Sequence, residues 1–142
     1  CMADSSLALA LNQQISCLTD LLALLKDELK AIAGRSGTEL KELTPKKAEA
    51  LNQIQKQDQH IAQLLATKPE QEQQEQQLFE QAQDLLAQCK EQNQVNAHAA
   101  HQAQLSVKQL KDILLGAPSS VTYAADGGIK RSDNKIVRNL KA

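Results

Sequence analysis

The chain has 142 residues, among which Leu (22), Ala (20) and Gln (20) dominate, whereas Phe and Tyr occur once each and Trp is absent. These frequent residues favour helices, and seven Ile and four Val are too few for the core of a sheet fold. A net charge of −1 is not that of a nucleic-acid-binding protein. With three His and five Gly, the sequence has little with which to line a catalytic pocket. We therefore predict an all-α protein that is not an enzyme.

Charge divides the chain into two parts. Residues 1–117 carry 11 basic and 15 acidic side chains, whereas residues 118–142 carry five basic and two acidic ones. This predicts a helical bundle over 1–117 and a flexible basic tail over 118–142. No run of 18 apolar residues occurs, so no membrane insertion is expected. Three scattered Cys without a C-x-x-C pair indicate a reducing compartment, and the cytoplasm is the expected location.

The first predicted helix covers residues 5–33, with Ser5 or Ser6 at its N-cap and Gly34 at its C′ position. Its apolar residues recur at alternating spacings of four and three, as in a coiled coil: Leu11, Ile15, Leu18, Leu22, Leu25, Leu29 and Ile32. Three further Leu widen this apolar stripe, namely Leu7, Leu21 and Leu24. A face that wide predicts packing against two neighbouring helices. Burial is expected for Leu11, Leu18, Leu22, Leu25 and Leu29.

The second predicted helix covers residues 45–66. Thr44 followed by Pro45 is typical of an N-cap and a first helical residue. The apolar stripe consists of Leu51, Ile54, Ile61 and Leu65, and Asp58 interrupts it. This more polar helix is expected to need the first helix as a partner.

The third predicted helix covers residues 70–115, with Glu70 and Glu72 in its first turn. It would be about 70 Å long, against about 43 Å for the first helix. Part of it should therefore project past its partners. Its end is rich in apolar residues: Leu105, Val107, Leu110, Ile113, Leu114 and Leu115. We predict an antiparallel three-helix bundle, or coiled coil, whose third helix ends in a docking surface.

The tail beyond residue 117 contains turn-forming sequences and a short helical pattern over 133–141, with Ile136, Val137 and Leu140 on one side. Nine residues cannot hold a helix alone in water. Tyr123 is the sole Tyr and lies in a turn-rich segment, which suits an interface anchor. The alternative is that Tyr123 folds back on the bundle.

Other candidate sites have plainer explanations. His98 and His101 share a helix face, but no carboxylate or Cys lies at the spacing that would complete a metal site. Cys17 and Cys89 could form a disulfide, although free thiols are expected in a reducing compartment. The ten Gln between residues 71 and 94 are interleaved with Glu and Leu, which favours a solvated helix face. We expect no metal and no cofactor.

Two motifs resemble one protein family. Asn93-Gln94-Val95-Asn96 is similar to the N-x-x-N segment of FlgN-type flagellar export chaperones. The run from Leu110 to Gly116, followed by Val121-Thr122-Tyr123-Ala124-Ala125-Asp126-Gly127, resembles the helix end and tail motif of that family. Gly128 and Ala97-His98-Ala99 depart from the pattern, which bears on helix packing more than on function.

The resemblance implies a cytoplasmic chaperone of the flagellar type III export system. Such a chaperone binds hook–filament junction proteins (hook-associated proteins), prevents their premature assembly and delivers them to the cytoplasmic domain of the export gate. The implied cargo-binding residues are Leu110, Ile113, Leu114, Ile136, Val137 and Leu140. The implied gate-binding residues are Tyr123, Asp126 and Gly127.

Two other classes of protein remain open at this point. The coiled-coil spacing alone equally supports a structural coiled-coil adaptor with no export role, and an enzyme would require a site that the sequence does not display. The sequence does not decide which junction protein binds or whether the chain self-associates.

Overall fold

The computed structural model describes residues 5–115, which form three helices: α1 (Ser6–Ala33), α2 (Gly37–Thr67) and α3 (Gln73–Leu115). This range contains no strand, so the predicted all-α class is confirmed. The segment 116–142 lies outside the described residues, and with it the predicted short helix over 133–141.

Helix α1 is the central element, and both other helices pack on it. It runs antiparallel to α2, because the Gln14 side chain bonds to Ile54 and Gln57 bonds back to Ala10. It runs parallel to α3, since α1 residues bond to α3 residues about 71 positions later in the chain. No Cα atom of α2 comes within 8 Å of one in α3. Helices α2 and α3 therefore each lie closer to α1 than to one another, although both contribute side chains to the core.

The centre of the buried face of α1 differs from the predicted stripe. The buried positions with large side chains are Leu7, Leu11, Gln14, Leu18, Leu21 and Leu25, which also alternate in steps of four and three. Leu22 and Leu29, predicted to be buried, are only half-buried and lie on the flank of this face. The expectation that these two residues are buried was wrong. Helix α1 packs against both α2 and α3, and the positions of these two helices decide which residues of α1 lie at the centre of the buried face.

Two apolar clusters make up the core. One contains Leu18, Leu21, Leu25, Ile54 and Cys89, and the other contains Leu7, Ala10, Leu11 and Ile61. Between them, Gln14 Nε2 donates to the Ile54 carbonyl (3.1 Å) and Gln57 Nε2 donates to the Ala10 carbonyl (2.9 Å). Asp58, which interrupts the apolar stripe of α2, is exposed. The polar layer between the clusters fixes the register of α2 on α1, because a shift would leave buried amides unpaired.

The connection between α1 and α2 is only three residues long. Arg35, not the predicted Gly34, adopts the left-handed backbone, with φ 53°. The N–H groups of Arg35 and Ser36 donate to carbonyls at the end of α1, at 3.1 and 2.9 Å, which is the Schellman arrangement. Ser36 then caps α2, since its hydroxyl accepts from the Glu39 N–H. Ser36 therefore takes part in both helix ends: its N–H bonds to the last turn of α1, and its side chain caps the first turn of α2.

Helix α2 therefore begins at Gly37, and the prediction that Thr44 caps it with Pro45 as its first residue was wrong. Pro45 lies inside the helix and cannot donate to the carbonyl of Lys41. Both residues are exposed, so water can satisfy that carbonyl. Thr44 bonds to the Leu40 carbonyl (2.9 Å) instead of capping. The proline is tolerated because it lies on the solvent side.

Helix α3 begins at Gln73, three residues later than predicted, and Glu75 rather than Glu70 lies in its first turn. The carboxylate of Glu75 accepts from the Glu72 N–H (2.8 Å) and from the Ser5 hydroxyl (2.7 Å). These bonds, the backbone one first, lower the pKa of Glu75 from its ordinary value, with a smaller contribution from Lys68. Because Ser5 also caps α1, one carboxylate joins the first turns of α1 and α3.

Candidate partner-binding site

The end of α3 projects past α1. The pairing of Leu25 with Asn96 places Ala33 level with residue 104, so residues 105–115 extend roughly 16 Å beyond α1. Large apolar side chains are exposed there: Val107 (42%), Leu110 (56%), Ile113 (78%), Leu114 (74%) and Leu115 (75%). We call these five residues the α3 tip. Three of the predicted cargo-binding residues, Leu110, Ile113 and Leu114, belong to it.

The remaining predicted site residues lie outside the described residues. These are Ile136, Val137 and Leu140 of the cargo set, and Tyr123, Asp126 and Gly127 of the gate set. All six come after the α3 tip in the chain, and the tip is the last part of the chain that the structure describes.

The asparagines of the N-x-x-N motif are both buried, at 4% exposure for Asn93 and 2% for Asn96. Asn96 Nδ2 donates to the Leu25 carbonyl (2.7 Å) and to Glu28 Oε1 (2.8 Å), and its Oδ1 accepts from Gln92 (3.0 Å). The spacing of three places both amides on the side of α3 that faces α1. The motif therefore has a structural function in joining α3 to α1.

A buried ion pair extends this network to α2. Lys47 Nζ donates to Glu28 Oε2 at 2.8 Å, and the two side chains are only 11% and 16% exposed. Glu28 thus binds Lys47 of α2 with one oxygen and Asn96 of α3 with the other. Sequence reasoning missed the pair, because a Lys in a polar helix normally lies in solvent.

Between α2 and α3 lies a groove of about 390 Å³ with α1 as its floor. We call it the α2–α3 groove. Its lining is mainly apolar or small and includes Ile32, Leu40, Thr44, Ala48, Leu51, Asn93, Ala97 and Ala100, together with the Glu28–Lys47 pair. Asn93 makes no side-chain hydrogen bond to any other residue in 5–115. The groove and the α3 tip are therefore two candidate surfaces for partners.

The other candidate residues do not form a reactive site within 5–115. His98 is exposed and His101 half-buried, and no group of three or more His, Cys, Asp or Glu in this range is placed to hold a metal ion. Cys17 and Cys89 are both free thiols. Cys89 is fully buried and donates to the Leu18 carbonyl (3.4 Å). Burial raises the pKa of the Cys89 thiol to about 11, which suppresses the reactive thiolate.

The difference in burial between Cys17 and Cys89 predicts that the two thiols are modified at different rates. In a Cys1→Ser background at pH 8, Cys17, which is half-buried, should react readily with a disulfide reagent, whereas Cys89 should react only when the bundle opens. We expect the second thiol to react at least tenfold more slowly in native buffer. Both should react at similar rates in denaturant, and similar rates in native buffer would contradict the burial of Cys89.

By length and composition, α1 is apolar enough to cross a membrane. No membrane insertion was expected from the sequence, because it contains no unbroken run of 18 apolar residues. In the structure, however, Leu11, Leu21 and Leu25 of α1 are buried against α2 and α3. The core helix of a soluble bundle meets the same criterion, because it too must be apolar along its length.

One comparison with known proteins identifies a family for this chain. The sequence model of the family described as FlgN protein matches residues 2–131, which is most of the chain. No curated protein and no solved structure gives a significant match. Members of this family are chaperones of flagellar export, not enzymes. The match includes all of α1, α2 and α3 and extends past the α3 tip. The chain therefore belongs to the FlgN family of flagellar export chaperones.

Proposed function

We propose that this chaperone acts in the cytoplasm on hook–filament junction proteins, keeps them from assembling prematurely and delivers them to the export gate. The α3 tip is the observation that supports cargo binding most directly. It consists of large apolar side chains, 42% to 78% exposed, at the end of a helix that extends past α1. Surfaces of this kind in water-exposed proteins mark binding sites.

The geometry of the tip suits an apolar helical cargo. Leu110, Ile113 and Leu114 are spaced by three and four residues, so they lie on one side of α3. Their exposures range from 56% to 78%, and packing a cargo helix on them would remove that area from water. In the same proposal, Ile136, Val137 and Leu140 of the tail supply a second apolar side, so that cargo is held between two helical segments.

Leu110→Asp tests the cargo site. Placing a carboxylate in the apolar contact should weaken binding to a purified junction protein at least tenfold, because the charge would lose its water on binding. Leu9→Asp is a matched control, since Leu9 is 60% exposed and lies on α1, at the other end of the bundle. Both variants should retain native helicity by circular dichroism. Equal affinities of the two variants by titration calorimetry would contradict the assignment.

Tyr123→Ala tests delivery to the export gate. In this proposal Tyr123 is the anchor for the gate's cytoplasmic domain, and Asp126 with Gly127 forms the turn that presents it. Loss of an aromatic anchor should cost about 2 kcal/mol, or about thirtyfold in affinity for that domain. Cargo affinity and the melting temperature should not change. A large fall in melting temperature would show instead that Tyr123 packs on the bundle.

A further inference from the structure

We propose that the partner of the α3 tip is an acidic amphipathic helix that packs on α3 just beyond the end of α1 and continues the line of α1. The inference rests on the proposed function, because it names the kind of cargo segment that binds at the tip. It gives the partner helix a position, between the end of α1 and the exposed side of α3, and a charge opposite to that of this end of the molecule.

One line of residues on α3 runs through the contact with α1 and continues into the tip. Within that contact, Cys89 and Asn96 donate to backbone carbonyls of α1. A seven-residue repeat turns by only about 20° per heptad around a straight helix, so Leu110, two heptads after Asn96, still lies on nearly the same side. We call this line the α3 seam, and its steps alternate between four and three residues: Cys89, Asn93, Asn96, Ala100, Ala103, Val107, Leu110 and Leu114.

Exposure along the α3 seam rises where α1 ends. It increases from 2% at Asn96 to 42% at Val107 and 74% at Leu114. Ala33, the last residue of α1, is level with residue 104, so the rise coincides with the end of the neighbouring helix. The tip is therefore apolar on the same side of α3 that packs on a helix earlier in its length. A seam of this period fits another helix.

The connection after α1 leaves room for such a helix. Because the connection consists only of residues 34–36, the chain reverses at the end of α1 instead of running on beside α3. Residues 105–115 extend roughly 16 Å past that point, or about three helical turns. A partner helix of this length with apolar residues at spacings of three and four would pack on Val107, Leu110 and Leu114.

The end of the bundle that carries the tip is basic, whereas the rest is acidic. The last turn of α1, the connection and the first turn of α2 (residues 30–40), taken with residues 105–115, carry four basic and two acidic side chains. The remainder of residues 5–115 carries seven basic and twelve acidic ones. A helix with acidic residues beside its apolar stripe is therefore complementary to this end in charge. The charged residues at the tip end are Lys30, Arg35, Lys108, Lys111, Glu39 and Asp112.

The same charges disfavour a second copy of this chain as the occupant. Pairing two tips would bring two basic ends together, and like charges at an interface oppose association. That repulsion is strongest at low ionic strength, because salt screens it. An acidic helix has the opposite dependence, since its attraction to the tip end increases as salt is lowered.

Two synthetic peptides of about 15 residues, a length at which a helix can form, test the charge of the partner. Both have Leu at alternating spacings of three and four, and one carries Glu and the other Lys beside the Leu stripe. We expect the full chain to bind the Glu peptide at least tenfold more tightly at low ionic strength, by fluorescence anisotropy. Lys111→Glu should reduce that affinity at least fivefold. Lys56→Glu makes the same charge change at an exposed site on α2, toward the other end of the bundle, and should leave it unchanged.

Disulfide cross-linking tests the position of the partner helix. In a Cys1→Ser, Cys17→Ser background, Ala33→Cys at the end of α1 is compared with Gln109→Cys, which lies about 200° around α3 from Val107. Each variant is mixed with Glu peptides that carry an activated Cys at the first or the last residue. One of the two peptides should react with Ala33→Cys at least tenfold faster than either does with Gln109→Cys. The rates are corrected for the reaction of each thiol with a small disulfide.

Equal affinities for the two peptides, or equal effects of Lys111→Glu and Lys56→Glu, would overturn the acidic partner. Faster cross-linking at Gln109→Cys would overturn its position. A dimer in sedimentation that Leu110→Asp dissociates would also overturn the inference, because the occupant would then be a second copy. Binding of a purified junction protein to the same variants separates the two proposals. Loss of binding in Leu110→Asp but not in Lys111→Glu would contradict only this inference, whereas unchanged binding in Leu110→Asp would contradict the proposed function.

Discussion

Replacing Leu25 by Ala is expected to lower the free energy of unfolding by about 2–5 kcal/mol. Leu25 is 1% exposed and belongs to the cluster of Leu18, Leu21, Ile54 and Cys89, to which all three helices contribute. Truncation would remove apolar contacts and leave a cavity that the surrounding helices can fill only in part. The loss is measurable by urea unfolding followed by circular dichroism at the helix band.

Leu9→Ala is the matched control for this prediction. Leu9 lies on the same helix but is 60% exposed, so its truncation should change stability by no more than about 0.5 kcal/mol. If the two variants were equally stable, the side of α1 that faces the core would have been assigned incorrectly.

The second large effect is expected at the ion pair that joins the three helices. Glu28→Ala should cost about 2–3 kcal/mol, because it leaves the Lys47 ammonium without its carboxylate and removes one hydrogen bond of Asn96. The expected value is below the range for fully buried pairs, since both side chains retain some exposure. Thermal or urea unfolding would give the difference.

Two further variants show whether the loss comes from an unpaired charge. Glu28→Gln with Lys47→Met removes both charges and should recover most of the stability, because a buried pair is often replaceable by neutral groups. Glu72→Ala, which breaks the exposed pair with Lys68, should cost at most about 0.5 kcal/mol. A double variant no more stable than Glu28→Ala would contradict the electrostatic explanation.

The α3 tip and the N-x-x-N motif lie in different environments, the first exposed and the second buried, so variants of the two should have different effects. The α3 tip projects away from the core clusters, so changes there can alter partner affinity without altering stability. The N-x-x-N motif, in contrast, is buried at the α1–α3 contact. Variants of Asn96 would therefore affect packing first, and any loss of function in them would need a stability measurement beside it.

The sequence by itself determined the helical class, the approximate extent of α1 and the apolar end of α3. These features are local, because they depend on helix propensity and on apolar residues repeating every three or four positions. The excess length of the third helix also followed from the sequence, since rise per residue is constant. Family membership was likewise indicated by short motifs, and the family match confirmed it.

Only the tertiary structure decided which residues of α1 are central, because Leu21 and Leu22 are equally apolar and the positions of α2 and α3 choose between them. It also decided that α2 passes through Pro45, since a local breaker can be outweighed by burial elsewhere along the helix. The pairing of Glu28 with Lys47 and the open groove between α2 and α3 depend on residues far apart in the chain. Contacts between distant residues have no period in the sequence, so they become visible only when the helices are placed against one another.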